Sequence, residues 1–239
     1  MHDAPEPSLL RRVGRFLKGS ATIPRTRWTA RQVWRPTPGS VFSLLLGLTL
    51  FGIGEGFLLL SDLGAAPWTV LAQGLSIRTG LSIGWVTLLV STAVLLLWIP
   101  LRQKPGLGTV ANIVVIALVL DLTYSWLPSP SGTLPRLLLA LAGIAVIGLG
   151  SGFYLTAGHG PGPRDGWMTG LHHRTGRPVA QIRLGIEVTV LTAGWLLGGT
   201  VGIGTALFAL LIGQSVALGL TVVRHLVPPA EPPAHRPPV

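Results

Sequence analysis

The chain has 239 residues, 49% hydrophobic and 11% charged, with a mean hydropathy of +0.60 and a formal net charge of +10. A soluble domain carries roughly 25% charged residues, so too few charges are present to coat a water-soluble globule. A cysteine count of zero removes disulfides, Cys-ligated zinc, iron–sulfur clusters and thiol nucleophiles together, and what remains is a polytopic all-α membrane protein.

Residues 1–39 form a basic N-terminal tail. Eight of the 18 basic residues lie here, from Arg11 to Arg35, against only Asp3 and Glu6. No apolar run follows these charges before residue 40, so the tail is not a signal peptide. Leu9, Val13, Phe16 and Leu17 sit at helical spacing between the charges, a pattern that suits a short helix on anionic lipid. The plainer reading is a disordered tail that only fixes orientation. Nucleic-acid binding is disfavoured, because the remaining charge is scattered among apolar segments.

A membrane helix needs about 20 mainly apolar residues. Six segments meet this: Ser40–Leu60, Ser82–Leu101, Leu107–Leu127, Leu134–Ala157, Ala180–Leu197 and Gly202–Val223. Two further helical stretches, Pro67–Arg78 and Pro163–Arg174, have 12 residues each. At 1.5 Å per residue they reach ~18 Å, too short to cross. Each begins with proline, which suits a first helical turn, and each ends at Thr-Gly, where glycine supplies a left-handed stop. The chain closes with a Pro-rich tail, residues 227–239, expected to be disordered.

Basic residues favour the cytoplasmic side. Six spans place the N-terminal tail, Arg102, Lys104, Arg164, Arg174, Arg177 and Arg224 inside, and only Arg78 and Arg136 outside. The expected location is the plasma membrane, with both termini cytoplasmic.

The chain is a duplication at an offset of 96 residues. Gly52, Gly54, Gly56 and Phe57 recur as Gly148, Gly150, Gly152 and Phe153; Gly64 and Pro67 recur as Gly160 and Pro163. Gly74, Leu75, Arg78, Thr79 and Gly80 recur as Gly170, Leu171, Arg174, Thr175 and Gly176, and Gly106, Gly108 and Thr109 as Gly202, Gly204 and Thr205. Repeat 1 is assigned to residues 40–127 and repeat 2 to residues 128–226. Each holds three spans and one short broken or re-entrant helix. Three is odd, so the second copy enters the bilayer inverted. Inverted repeats with interrupted helices at matching positions characterise secondary transporters.

The segments LGAAPWTVLAQGLSIRTGLSIG (Leu63–Gly84), PGLGT (Pro105–Thr109), GPGPRDGWMTGLHHRTG (Gly160–Gly176) and GIGT (Gly202–Thr205) carry a family likeness. Over residues 40 to 225 the chain resembles the YczE-like membrane proteins of the YczE/YyaS/YitT grouping. Family members often have Asp after the first-repeat Pro-Trp, where this chain has Thr69, so a carboxylate's role there is not filled from that position. The resemblance implies the fold and brings no activity with it.

Ionisable groups inside a membrane are costly and point to function. Glu55 lies two-thirds along the first span; Arg183 and Glu187 lie four apart on the fifth and share one helical face. Together they are candidates for a coupling site or gate. The plainer reading of the Arg183–Glu187 pair is mutual neutralisation that locks two helices. Asp121 is expected at the outer interface. The Gly-Pro breaks are the stronger site candidates. A helix N-terminus offers unpaired N–H groups and a partial positive charge. Gly64, Gly160 and Gly162 would let a solute approach the backbone. Pro67, Trp68 and Thr69 in repeat 1 match Pro163, Arg164 and Asp165 in repeat 2. Two such N-termini facing each other near the midplane would bind an anionic or carboxylate-bearing solute. Capping is the expected job of Thr109 and Thr205.

Other signals are discounted. The Gly-x-x-x-Gly pairs Gly52–Gly56 and Gly148–Gly152 indicate close helix packing. His159, Asp165, His172 and His173 read as a solvated cytoplasmic cluster. No metal or cofactor is expected. Ser151 lacks a His within a span to act as its base, so no catalytic set assembles and an enzyme is disfavoured. Trp98, Trp126 and Trp195 fit an interfacial belt. The sequence thus predicts a small-solute transporter or permease embedded in lipid, with a homo-oligomer compatible. The competing reading is a non-transporting membrane protein that stabilises or regulates a partner complex.

Overall fold

The structure, a computed structural model, describes residues 22–230. The expected lipid-surface helix at Leu9–Leu17 and most of the Pro-rich tail lie outside the described residues. The helices are α1 (Pro38–Leu60), α2 (Pro67–Thr79), α3 (Ile83–Leu96), α4 (Trp98–Leu101), α5 (Leu107–Trp126), α6 (Thr133–Thr156), α7 (Pro163–Thr175), α8 (Val179–Leu196) and α9 (Ile203–Leu226). Six elements are long and apolar enough to cross a membrane, with α3 and α4 together forming one. They coincide with the six expected segments to within three residues at each end.

Local chemistry starts and stops these helices. The Thr37 hydroxyl accepts the Ser40 N–H at 3.3 Å and the Ser40 hydroxyl accepts the Thr37 N–H at 2.9 Å, a reciprocal capping box that opens α1. Ser82 opens α3 by accepting the Trp85 N–H. Pro67 and Pro163 stand at the starts of α2 and α7, and left-handed Gly80 and Gly176 (φ 73° and 68°) end them. Asp121, expected at an interface, is tied down: it accepts the Gly84 N–H at 2.8 Å and the Ser82 hydroxyl at 3.0 Å. Its charge thereby faces the positive end of α3.

The centre of the molecule is the α1–α6 pair. Gly47 lies against Gly150 and Tyr154, and Gly54 against Gly143 and Ile147. The numbering falls along α6 as it rises along α1, so the two helices are antiparallel. Gly47 matches Gly143 at the 96-residue offset and Gly54 matches Gly150. One contact is therefore made twice with the partners exchanged. The Gly-x-x-x-Gly pairs do pack closely: Gly52 and Gly56 meet Val119 and Thr123 on α5, while Gly148 and Gly152 meet Ser215 and Gly219 on α9.

The short helices cross between the repeats. Gly74 of α2 abuts Gly194 of α8, and Gly170 of α7 abuts Leu101 of α4. The turns cross as well. The Gly204 N–H donates to the Leu63 carbonyl at 2.7 Å, and the Gly108 N–H to the His159 carbonyl at 2.9 Å. The Thr205 hydroxyl donates to Ala65 O at 2.9 Å and the Thr109 hydroxyl to Pro161 O at 2.8 Å. Thr109 also accepts the Gly106 N–H at 3.0 Å, so it caps its helix and ties the repeats together.

Burial falls from the centre outward, from 61% of the most apolar window of α1 to 11% of that of α8. Leu118, Leu184 and Leu210 stand exposed on the outer faces, as a lipid-facing surface requires. Part of the basic tail is folded down. The Arg27 N–H donates to Pro228 O at 3.0 Å, the Ala230 N–H to Arg25 O at 3.2 Å, and the Ala30 N–H to Ala157 O at 2.9 Å. Trp34 Nε1 reaches Pro105 O at 3.1 Å. Two aromatic expectations divide. Trp126 and Trp195 are 78% and 62% exposed near span ends, but Trp98 is 2% exposed. Its Nε1 donates to Pro163 O at 2.8 Å, so Trp98 is a wedge under α7 and not a belt residue.

Candidate functional site

Glu55 is 2% exposed on α1, five residues before the helix ends. The Thr69 hydroxyl, in the first turn of α2, donates to its Oε2. The bond fixes depth: α2 starts beside Glu55, about 7.5 Å along α1 from its end at 1.5 Å per residue. From there α2 runs to Gly80, next to the start of α3. At the matching place in repeat 2, the Gly162 N–H donates to the Tyr154 hydroxyl of α6. Pro163 is held by Trp98, whose ring also covers Gly166.

These arrangements bring both short-helix N-termini to one cavity of about 260 Å³. Its walls pair equivalent positions of the two repeats: Phe51 with Ile147, Glu55 with Ser151, Ala66 with Gly162, Pro67 with Pro163, and Trp68 with Arg164. Thr87 with Arg183, Ser91 with Glu187, Asn112 with Phe208, and Ile116 with Ile212 complete the set. The Arg164 guanidinium carbon lies 5.0 Å from the Trp68 ring centroid, within cation–π range. Trp68 in turn meets Trp167 edge-on at 6.4 Å. Trp68 and Arg164 are equivalent positions at the 96-residue offset, and they meet each other here.

Three carboxylates, Glu55, Asp165 and Glu187, and two guanidiniums, Arg164 and Arg183, line this space. Arg183 Nε donates to Glu187 Oε1 at 2.8 Å. The pair neutralises itself within α8, as in its plainer sequence reading, and it forms one wall of the cavity. Arg164 is acted on electrostatically by three carboxylates, Glu55, Asp165 and Glu187. With every group ionised the cavity carries a formal charge of −1. First-turn N–H groups have no intrahelical partner, and those of Trp68, Arg164 and Asp165 belong to this set. Thr87 is 4% exposed, and its Oγ1 is the one buried side-chain polar atom without a hydrogen-bond partner among the described residues.

Of the residues singled out from sequence, Pro67, Trp68, Gly162, Pro163, Arg164, Asp165, Glu55, Arg183 and Glu187 all line the cavity. Thr69 stands behind Glu55. Gly64 and Gly160 are elsewhere: Gly64 abuts Gly202 and Thr205, and Gly160 abuts Gly106 and Thr109. Their job is the close crossing of backbone between repeats, not solute contact. His159 also departs from expectation. It is 1% exposed, with Nδ1 bonded to Val33 O at 3.0 Å and Nε2 to Ser40 Oγ at 2.9 Å. It therefore belongs to no solvated cluster. No group of three or more potential metal ligands occurs among the described residues. Sequence reasoning missed Tyr154, Asn112, Thr87 and Ser91. A signal for three of them existed, because the offset pairs them with Phe208, Arg183 and Glu187, residues of unlike polarity.

A family model described as "Family of unknown function (DUF6198)" matches residues 39–220. An uncharacterized protein of Haemophilus influenzae is 44% identical over 204 residues, covering 85% of this chain and 94% of that protein. The uncharacterized membrane protein YczE of Bacillus subtilis is 34% identical over 159 residues, covering 66% and 74% respectively. The uncharacterized protein YyaS of the same organism is 27% identical over 190 residues, covering 76% and 93%. No solved structure matches the chain.

Proposed function

The chain belongs to the YczE-like family of membrane proteins, the family of unknown function DUF6198, and on that premise we propose that it carries a small carboxylate-bearing solute across the membrane. One observation carries this reading: the N-termini of two short helices, supplied by equivalent positions of the two repeats, line a single inter-repeat cavity. A carboxylate there meets first-turn N–H groups and the positive end of each helix dipole. Arg164 offers a charge-assisted, two-pronged partner. The orphan Thr87 hydroxyl supports the reading too, since a buried polar atom without a partner calls for one. Phe51, Ile147, Met168 and Phe208 leave the rest of the cavity apolar, which suits a solute with a short hydrocarbon body.

Transport would follow from rocking one repeat against the other about the shared site. The antiparallel α1–α6 pair supports inverted repeats, and the distribution of basic residues supports cytoplasmic termini in a plasma membrane. The reading is of a carrier and not an enzyme. Purified protein in liposomes is expected to take up at least one solute from a panel of acetate, lactate, benzoate and glycine. Failure of every solute, with a stable protein partner co-purifying, would replace the carrier with a regulator of that partner. Tags inserted after Gly80 and after Gly176 should report opposite faces of the membrane; the same face would remove the inversion.

A further inference from the structure

We infer that Glu55 is a proton site and Arg164 the carboxylate site of this cavity, linked so that a solute carboxylate and a proton enter and leave together. The inference rests on the carrier reading above and adds its coupling. Arg183 and Glu187 are bonded to each other at 2.8 Å, and the other charges of the cavity are Glu55, Arg164 and Asp165. In all, two guanidiniums serve three carboxylates. A solute carboxylate that engages Arg164 makes four carboxylates against two guanidiniums, in a space where charges are poorly screened. Asp165 is exposed at the cavity wall and can be solvated. Glu55 is 2% exposed and cannot, so it is the carboxylate that relieves the excess by taking a proton.

Its surroundings accept either form. From α2 the Thr69 hydroxyl donates to Oε2, and from α5 Asn112 shares the cavity and brings no charge. The titratable or charged groups on the other facing elements are Tyr154 on α6, Arg164 and Asp165 on α7, and the Arg183–Glu187 pair on α8. Of the two guanidiniums that line the cavity, Arg183 is held by Glu187 and Arg164 has no salt bridge within 4 Å among the described residues. It is open to the solute carboxylate. The proton comes from the aqueous phase the cavity faces, forms one O–H bond at a Glu55 carboxyl oxygen, and is released to the opposite phase when the solute leaves. One negative and one positive charge move together, so the cycle is electroneutral.

The test is calorimetric titration of the full-length protein, reconstituted in lipid nanodiscs, with benzoate, lactate and acetate. Buffers of different ionisation enthalpy report the protons taken up per carboxylate bound. The wild type should take up close to one proton, with affinity strengthening by up to about tenfold for each unit of falling pH. Glu55→Gln should bind without proton uptake and with a flat pH profile. Glu55→Asp should restore uptake, which separates loss of the carboxyl group from misfolding. Infrared difference spectra should show a protonated-carboxyl band on benzoate binding that Glu55→Gln removes. Carboxylate binding without proton uptake, or uptake that survives in Glu55→Gln, would overturn the coupling while leaving the carrier reading intact. No binding of any of the three would overturn both.

Discussion

The two repeats bring equivalent positions to the cavity and fill it with different chemistry. Repeat 1 contributes Trp68, Thr87, Ser91 and Asn112, with Glu55 its one charge; repeat 2 contributes Arg164, Asp165, Arg183 and Glu187. The glycines and prolines stay in register where backbone meets backbone, while the side chains facing the cavity diverge. Shape and chemistry are thus separable here. Substitutions at the shared scaffold should act alike in both halves, and substitutions at the divergent positions should not.

The largest effect should come from the scaffold. A Cβ on Gly54 would lie 2.7 Å from Gly143 O, and one on Gly150 would lie 2.6 Å from Gly47 O. Neither backbone can yield without parting α1 from α6. Gly54→Leu and Gly150→Leu should each cost at least the upper end of the roughly 1–3 kcal/mol of overpacking, read as loss of monodisperse protein by size exclusion. Gly213→Leu, with open space around the site, should stay within about 0.5 kcal/mol of wild type. If one of the paired variants is tolerated, the two halves are not equivalent scaffolds.

The divergent positions should break the equivalence. Arg164→Ala removes the charge-assisted partner of a solute carboxylate, about 1.5–3 kcal/mol, and should weaken benzoate binding by roughly 10- to 100-fold. The matching Trp68→Ala loses a cation–π neighbour worth about 0.5–1 kcal/mol, a two- to fivefold effect. Equal losses would mean that the ionic half has no special part in recognition.

How much of this the sequence discloses follows from the same division. The spans, the short helices and the duplication are legible because apolar length, proline and glycine act locally, at fixed positions along the chain. Convergence of the two N-termini on one cavity was legible only through the offset and the odd number of spans. The fates of Gly64, Gly160, Trp98 and His159 were not legible. Each is decided by a partner far away in sequence: Gly202, Gly106, Pro163 and Val33. Glycine at a crossing of two backbones looks the same in sequence as glycine at a ligand. The better guide to the cavity is disagreement between the copies. At Thr87 with Arg183, Ser91 with Glu187 and Asn112 with Phe208 the offset sets a hydroxyl or amide against a charge or an apolar residue, and all six positions line the cavity.

His159 sharpens the comparison from another side, because its repeat mate is Leu63. Its ring is bonded to Val33 and Ser40, which fastens the segment before α1 over the turn that leads to α7. His159→Leu should cost about 1–2 kcal/mol through the unpaired groups it leaves. It should speed tryptic cleavage at Arg25–Arg35 without changing benzoate affinity. A matching loss of affinity would mean that this fastening also shapes the cavity.

The smallest effect tests the symmetry most finely. Thr109 and Thr205 occupy equivalent positions, and each hydroxyl donates across the repeats, to Pro161 O at 2.8 Å and Ala65 O at 2.9 Å. Loss of one such bond costs about 1 kcal/mol, so Thr109→Ala and Thr205→Ala should lower thermal stability by similar, modest amounts. Thr109 also accepts the Gly106 N–H at 3.0 Å, which should make its variant the worse by a few tenths of a kcal/mol, about what a weakened N-cap costs in a host that partly compensates. The two crossings share no residue, so the double variant should be additive within about 0.5 kcal/mol. A double variant much worse than the sum would show that the crossings open together, as a hinge shared by both repeats must; additivity would place the moving element elsewhere, at the short helices themselves.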